Sequence, residues 1–202
     1  MIRAVISDLG QVVLGFNNDI FIRKLSVRCG LTMPRIKEAT HWNMELIRAF
    51  DKGGILPGEF YERIVKAVDA RMPREEFFAI YNDIFWLNAP ALEVLKRVKL
   101  AGAKLLLVSN TDPERFGFVK KNFSQILIFD DYLLSYELRL AKPEPGIYRE
   151  AMRRAGCAAN ECVFIDDLPE NVEAAVSLGM KGLLYVPALD LTAALARLDC
   201  PI

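Results

Sequence analysis

At 202 residues the chain is long enough for one domain with a real core, or a core carrying a smaller inserted lobe. Its 26 Lys and Arg balance 26 Asp and Glu, which excludes a bulk field for nucleic acid or an anionic membrane and leaves a small molecule as the expected partner. No apolar run nears the roughly 18 residues that span a bilayer, and Met1 to Asp8 carries no signal-peptide pattern, so a cytoplasmic monomer or homodimer is expected. Cys29, Cys157, Cys162 and Cys200 show no C-x-x-C spacing; even with the lone His41 they make no metal set, and they read as free thiols.

In chain order, Ile2 to Ser7 reads as a buried strand, and Val12-Val13-Leu14 leads into the loop-like Gly15-Phe16-Asn17-Asn18. From Asp19 to about Phe85 the apolar residues recur at helical spacing, as in Phe60, Ile64 and Val68 or Phe77, Ile80 and Ile84. Pro34, Pro57 and Pro73 stand near helix starts, where a missing N–H costs nothing. This predicts a four- or five-helix insertion without strands. After Pro90 the elements alternate: a helix to about Ala101, a strand Lys104–Val108, a helix Pro113–Asn122, and a strand Tyr132–Ser135. A helix Pro145–Ala155 closed by Gly156, a strand Cys162–Ile165, a helix Pro169–Leu178 and a strand Gly182–Val186 complete the series. Strands separated by helices require right-handed crossovers, hence a parallel sheet covered on both faces. The expected architecture is a Rossmann-like three-layer α/β/α core, residues 1–15 plus 87–202, with a helical cap at 16–86.

Four segments at predicted strand ends and loops carry the chemistry: Ser7-Asp8-Leu9-Gly10, Ser109-Asn110-Thr111, Ala141-Lys142-Pro143 and Ile165-Asp166-Asp167. Open parallel sheets bind ligands at the carboxyl ends of their strands. A poorly solvated Asp8 can attack phosphorus and split hydrolysis into two steps through an aspartyl-phosphate. The charge in transfer calls for fixed donors and a hard cation. Asp8, Asp166 and the Gly10 carbonyl suit Mg²⁺, which takes oxygen ligands and retains waters. Leu9, Gly10, Ser109, Asn110 and Lys142 form the expected phosphate-binding set, with Asp8, Ser109 and Lys142 catalytic. Asp167 and Asn171 are expected to orient the magnesium waters or the lysine.

On these motifs the chain resembles the haloacid dehalogenase superfamily, most specifically in the segments Ile165 to Ala175 (Ile-Asp-Asp-Leu-Pro-Glu-Asn-Val-Glu-Ala-Ala) and Ala141 to Tyr148 (Ala-Lys-Pro-Glu-Pro-Gly-Ile-Tyr). The resemblance spans nearly the whole chain and implies a type C1 helical cap, Asp8 as nucleophile, Ser109 and Lys142 on the phosphate, and Mg²⁺ on Asp8, the Gly10 carbonyl and Asp166. Gly10 stands where typical family phosphatases carry an Asp that acts as general acid and base. The chain is similar in this to an Asp-Leu-Gly subgroup that includes α-D-glucose-1-phosphate phosphatase. Gln11, Asn17, Asp19 or a residue of the cap is then expected to position water. Trp42, Glu45, Arg48 and the segment Asp51-Lys52-Gly53-Gly54, read as facing the core, suggest a hydrophilic substrate such as a sugar phosphate. The expected function is a Mg²⁺-dependent phosphatase of a small phosphorylated metabolite. The alternatives are a metal-independent 2-haloacid dehalogenase using the same Asp8, and a catalytically weakened binding or regulatory protein.

Overall fold

A computed structural model describes residues 1–41 and 44–202, with side chains outside 39–41. β1 (Ala4–Ser7) and β2 (Leu14–Phe16) are followed by five helices: α1 (Asn18–Cys29), α2 (Met33–His41), α3 (Met44–Asp51), α4 (Pro57–Ala67) and α5 (Arg74–Asn82). Then come β3 (Phe85–Leu87), α6 (Ala89–Leu100), β4 (Lys104–Ser109), α7 (Pro113–Asn122), β5 (Asp131–Leu134) and α8 (Ser135–Leu138). α9 (Pro145–Ala155), β6 (Cys162–Asp166), α10 (Pro169–Ser177), β7 (Lys181–Leu184) and α11 (Leu191–Arg197) complete the order. No helix among the described residues is long and apolar enough to cross a membrane.

The five-stranded sheet runs β5-β4-β1-β6-β7, every neighbouring pair parallel. Its strands read as unbroken apolar runs because both faces are covered. Val5, Leu105, Leu107, Val163 and Ile165 point into one layer with Leu92 and Leu95 of α6, Val119 of α7 and Leu195 of α11. Ala4, Ile6, Leu106, Val108 and Phe164 alternate to the other, against Ile147 and Tyr148 of α9 and Ala175 of α10. The expected α/β three-layer fold is therefore the observed one. Register aligns the strand ends, with Ser7 opposite Leu107 on one side and Ile165 on the other. The loops after β1, β4 and β6 consequently emerge on one edge.

The helices α1–α5 hold a separate apolar cluster built on Phe21, Leu25, Phe50, Phe60, Phe77 and Tyr81. Phe50 stacks on Phe60 with centroids 4.3 Å apart, and Phe21 meets Tyr81 edge-on at 5.4 Å. Sharp caps bound α1: Asn17 Oδ1 accepts the Asp19 N–H at 2.8 Å, and Gly30 closes it at φ 65°, a left-handed value suited to glycine.

One expectation is corrected at the ends of this region. The segment read as a loop, and the stretch read as free of strands, form a two-stranded antiparallel ribbon, Leu14–Phe16 against Phe85–Leu87. Gly15 faces Trp86 across it so closely that an added Cβ would sit 2.2 Å from Trp86 Nε1. Three-residue strands are too short to display a period, so neither was visible in the pattern. The short helices α8 and α11 escaped for the same reason.

Candidate active site

The chain turns tightly after β1. The Asp8 N–H donates to the Ile165 carbonyl at 2.8 Å, continuing the β1–β6 ladder by one residue and setting Asp8 beside Asp166. The Leu9 N–H donates to Asp8 Oδ1 at 2.7 Å, and the Leu9 carbonyl accepts from Val13 and Leu14 at 3.0 and 2.9 Å. Gly10 lies under the Phe16 ring of β2: a Cβ there would stand 2.9 Å from Phe16 Cε1. The position that carries a second aspartate in typical family phosphatases is thus crowded here by an aromatic side chain. The Gly10 carbonyl accepts from Val12 at 2.6 Å and retains a second lone pair.

Lys142 joins the two carboxylates. Its Nζ lies 2.6 Å from Asp8 Oδ1 and 2.7 Å from Asp166 Oδ2. The Asn110 side chain holds the lysine's backbone from both sides, donating to its carbonyl and accepting from its N–H, each at 2.8 Å. Asn110 is thereby a clamp on Lys142, a use of its side chain that the motif did not disclose. Asp166 is fully buried. Besides the lysine, it accepts the Leu168 N–H at 2.9 Å and Asn171 Nδ2 at 3.0 Å, both on Oδ1. Asn171 therefore holds Asp166, which in turn holds Lys142. Tyr148 holds Asn171 in turn, donating its hydroxyl to the Asn171 carbonyl at 3.0 Å.

These groups floor a cleft of about 230 Å³. Asp8, Ser109, Asn110, Lys142 and Asp167 line it, with Leu9, Gly10, Gln11 and Asn171. Of the expected site residues, Asp166 stands behind this surface, its two oxygens engaged as described. Asn17 is a correction: its side chain caps α1 and does not line the cleft. Gln11 lines the cleft but spends its Nε2 on the Phe16 carbonyl at 2.9 Å, and Asp19 pairs with Lys37 at 2.7 Å. Glu45 and Arg48 are exposed and line no described cavity, and Trp42 lies outside the described residues. The Asp51–Gly54 segment does meet the core: Ser135 Oγ donates to the Asp51 carbonyl, and Lys52 pairs with Glu144 at 2.7 Å.

The donor set fits a divalent cation. Carboxylate oxygens of Asp8, Asp166 and Asp167 lie within 4.8 Å of one another, facing a single ammonium. Burial pushes the Asp8 carboxyl up to about 6 against the pull of Lys142, with Asp166 adding to the rise. Burial and Asp166 likewise raise Asp167. Burial works to lower Lys142, yet Asp8 and Asp166 hold its pKa above the ordinary lysine value. A hard cation on these oxygens would relieve the excess of negative charge.

Pattern reading missed Phe16, Phe85 and Arg115 in the cleft wall. Arg115 stacks on Tyr81 of α5, its guanidinium carbon 4.2 Å from the ring centroid. Tyr81 in turn donates its hydroxyl to Asp112 at 2.8 Å. No local signal announces such partners, which are 31 or more residues away in sequence.

Comparison with known proteins gives the family and the fold. The model of the haloacid dehalogenase-like hydrolases matches residues 35–179, and the chain belongs to that family. A sesquiterpene phosphatase of Aspergillus oryzae is 24% identical over 191 residues, covering 93% of this chain and 91% of its own. A glyceraldehyde 3-phosphate phosphatase of Methanocaldococcus jannaschii is 24% identical over 201 residues, covering 89% and 83%. Among solved structures, a HAD family enzyme of Bacteroides thetaiotaomicron in a magnesium complex superposes with a TM-score of 0.83. It is 24% identical and covers 96% of this chain and 98% of its own, a likeness of fold.

Proposed function

We propose that the protein is a Mg²⁺-dependent phosphatase of small phosphate monoesters that works through an aspartyl-phosphate on Asp8. The observation that carries this reading is the Lys142 ammonium bridging Asp8 and Asp166 at the floor of a cleft that also presents Ser109 and Asp167. The phosphatase relatives support it. Asp8 Oδ1 is held by Leu9 and Lys142, which leaves Oδ2 without a donor among the described residues and available for attack. Asp8 attacks phosphorus and the alcohol departs; water then hydrolyses the acyl-phosphate and returns the carboxylate. Ser109 and Lys142 hold the phosphoryl oxygens, while Asn110 and Asp166 hold Lys142. Asp8, the Gly10 carbonyl and Asp166 would hold Mg²⁺, which would supply neutralisation of phosphoryl charge. Asp167 lines the cleft beside them and belongs to the same cluster of carboxylate oxygens. Gly10 offers no proton, so the alcohol draws it from solvent and good leaving groups are favoured. Helices α1–α5 serve as the cap over this floor, and residues 1–15 and 87–202 form the catalytic core.

The test is phosphate release from p-nitrophenyl phosphate, acetyl phosphate and sugar phosphates, with Mg²⁺ or EDTA. Release that requires Mg²⁺ and falls by roughly 10³-fold or more in Asp8→Asn is expected. Undiminished turnover in that variant would sink the mechanism, and halide release from 2-chloropropionate in EDTA would move the assignment to a dehalogenase.

A further inference from the structure

A second cavity, of about 280 Å³, opens within helices α1, α3 and α4, and Arg115 belongs to the walls of both this space and the catalytic cleft. Its other walls are chiefly Phe21, Ile22, Met44, Ile47, Phe60 and Ile64. The polar groups around it are largely matched to one another. Asp19 pairs with Lys37 at 2.7 Å, the Tyr81 hydroxyl is given to Asp112, and Asn18 Oδ1 accepts Arg115 Nη2 at 2.9 Å. Arg115 Nε is the exception: it is buried with no hydrogen-bond partner, and Asp112 Oδ2 stands 3.9 Å away, beyond hydrogen-bond reach. A buried donor left unmet calls for an acceptor.

We propose that this cavity seats the organic group of the substrate, which is a phosphate monoester of a predominantly apolar alcohol. Arg115, which lines both spaces, turns its unmatched Nε–H toward one of the substrate's oxygens. The assignment rests on the phosphatase reading of the cleft. A sugar would bring a ring of hydroxyls against Phe, Ile and Met side chains and against polar groups (Asp19, Lys37, Tyr81, Asn18) already engaged with one another or with Asp112 and Arg115, and each unmet hydroxyl opposes binding. An alkyl or aryl body instead removes its own surface and that of the walls from water. The cavity is just below the roughly 300 Å³ at which small-molecule pockets begin.

Calorimetric titration of the wild-type protein in Mg²⁺ with ethyl-, butyl- and hexylphosphonate, which are not turned over, tests the proposal. Kd is expected to fall about fourfold per methylene; a flat or rising series overturns it. Ile47→Trp, which fills the cavity, should cut the gain below about twofold per methylene, and an unchanged gain likewise overturns it. Should that variant not fold, Met44→Trp at a 47% exposed position provides the same readout. Acetyl phosphate, with an acyl group too small to depend on the cavity, separates this proposal from the reading beneath it. Hydrolysis of acetyl phosphate with a flat phosphonate series defeats the cavity assignment alone. A graded series without hydrolysis defeats the phosphatase reading and upholds the cavity as the seat of an apolar, phosphate-bearing ligand.

Discussion

The strand-end floor and the helical region over it are built by different physics. The floor is held by backbone register and a closed set of hydrogen bonds: β1 and β6 place Asp8 beside Asp166, and Asn110 fixes the loop that carries Lys142. The helical region is held by aromatic packing among Phe21, Phe50, Phe60, Phe77 and Tyr81, and it meets the core through a few polar contacts. A floor of this kind tolerates little displacement, as phosphoryl transfer requires. A region held by apolar packing can exchange one body for another of similar volume at small cost, which suits the part of a molecule that selects among substrates.

Three substitutions sharpen this contrast. Lys142→Met should have the largest effect, because it strands two buried carboxylates: a stability loss of about 3 kcal/mol or more in urea unfolding, together with loss of turnover. A variant that unfolds at the wild-type midpoint would show that the floor is not held by charge pairing. Asn110→Ala removes both bonds to the lysine backbone and should cost about 1 to 3 kcal/mol, with kcat reduced by roughly tenfold or more as Lys142 loses its position. If kcat holds while stability falls, the clamp serves the fold alone.

The smallest effect is expected where the two regions touch. Burial first, then Asp112, raises the carboxyl of Asp51 at the end of α3 to about 7, against the opposing pull of Arg115. A carboxyl whose pKa is higher folded than unfolded favours the folded state in its neutral form, so its contribution is complete at low pH. That contribution is lost as pH rises from the unfolded value of 3.8 through about 7. Asp51→Asn should therefore raise Tm at pH 8 by about 3 to 8 °C and change it little at pH 4. An equal change at both values would show that the charge of Asp51 does not oppose the junction.

Much of the floor was legible beforehand because its residues follow recognisable strands and sit in short motifs: Asp8, Ser109, Asn110, Lys142, Asp167 and Asn171 all line one cleft. Asn17 misled because asparagine before a helix is as good a cap as a water-holding group, and the cap was its use. Which of Asp166 and Asp167 lines the cleft was not legible, since adjacent residues at a strand end point to opposite sides and only the neighbours reveal which side faces it. The polar residues of α3 suggested a sugar, but Glu45 and Arg48 are exposed and line neither the cleft nor the second cavity.

The sequence by itself determined the βα alternation, the helical insertion and the four motif segments, because period, turn residues and short spacings are local properties. Tertiary structure alone decided the ribbon Leu14–Phe16 with Phe85–Leu87, the crowding of Gly10 by Phe16, and the place of Arg115 between two cavities. These join residues distant along the chain or too short to show a pattern. Their partners are set by how layers pack, and no window of sequence contains both sides of such a contact.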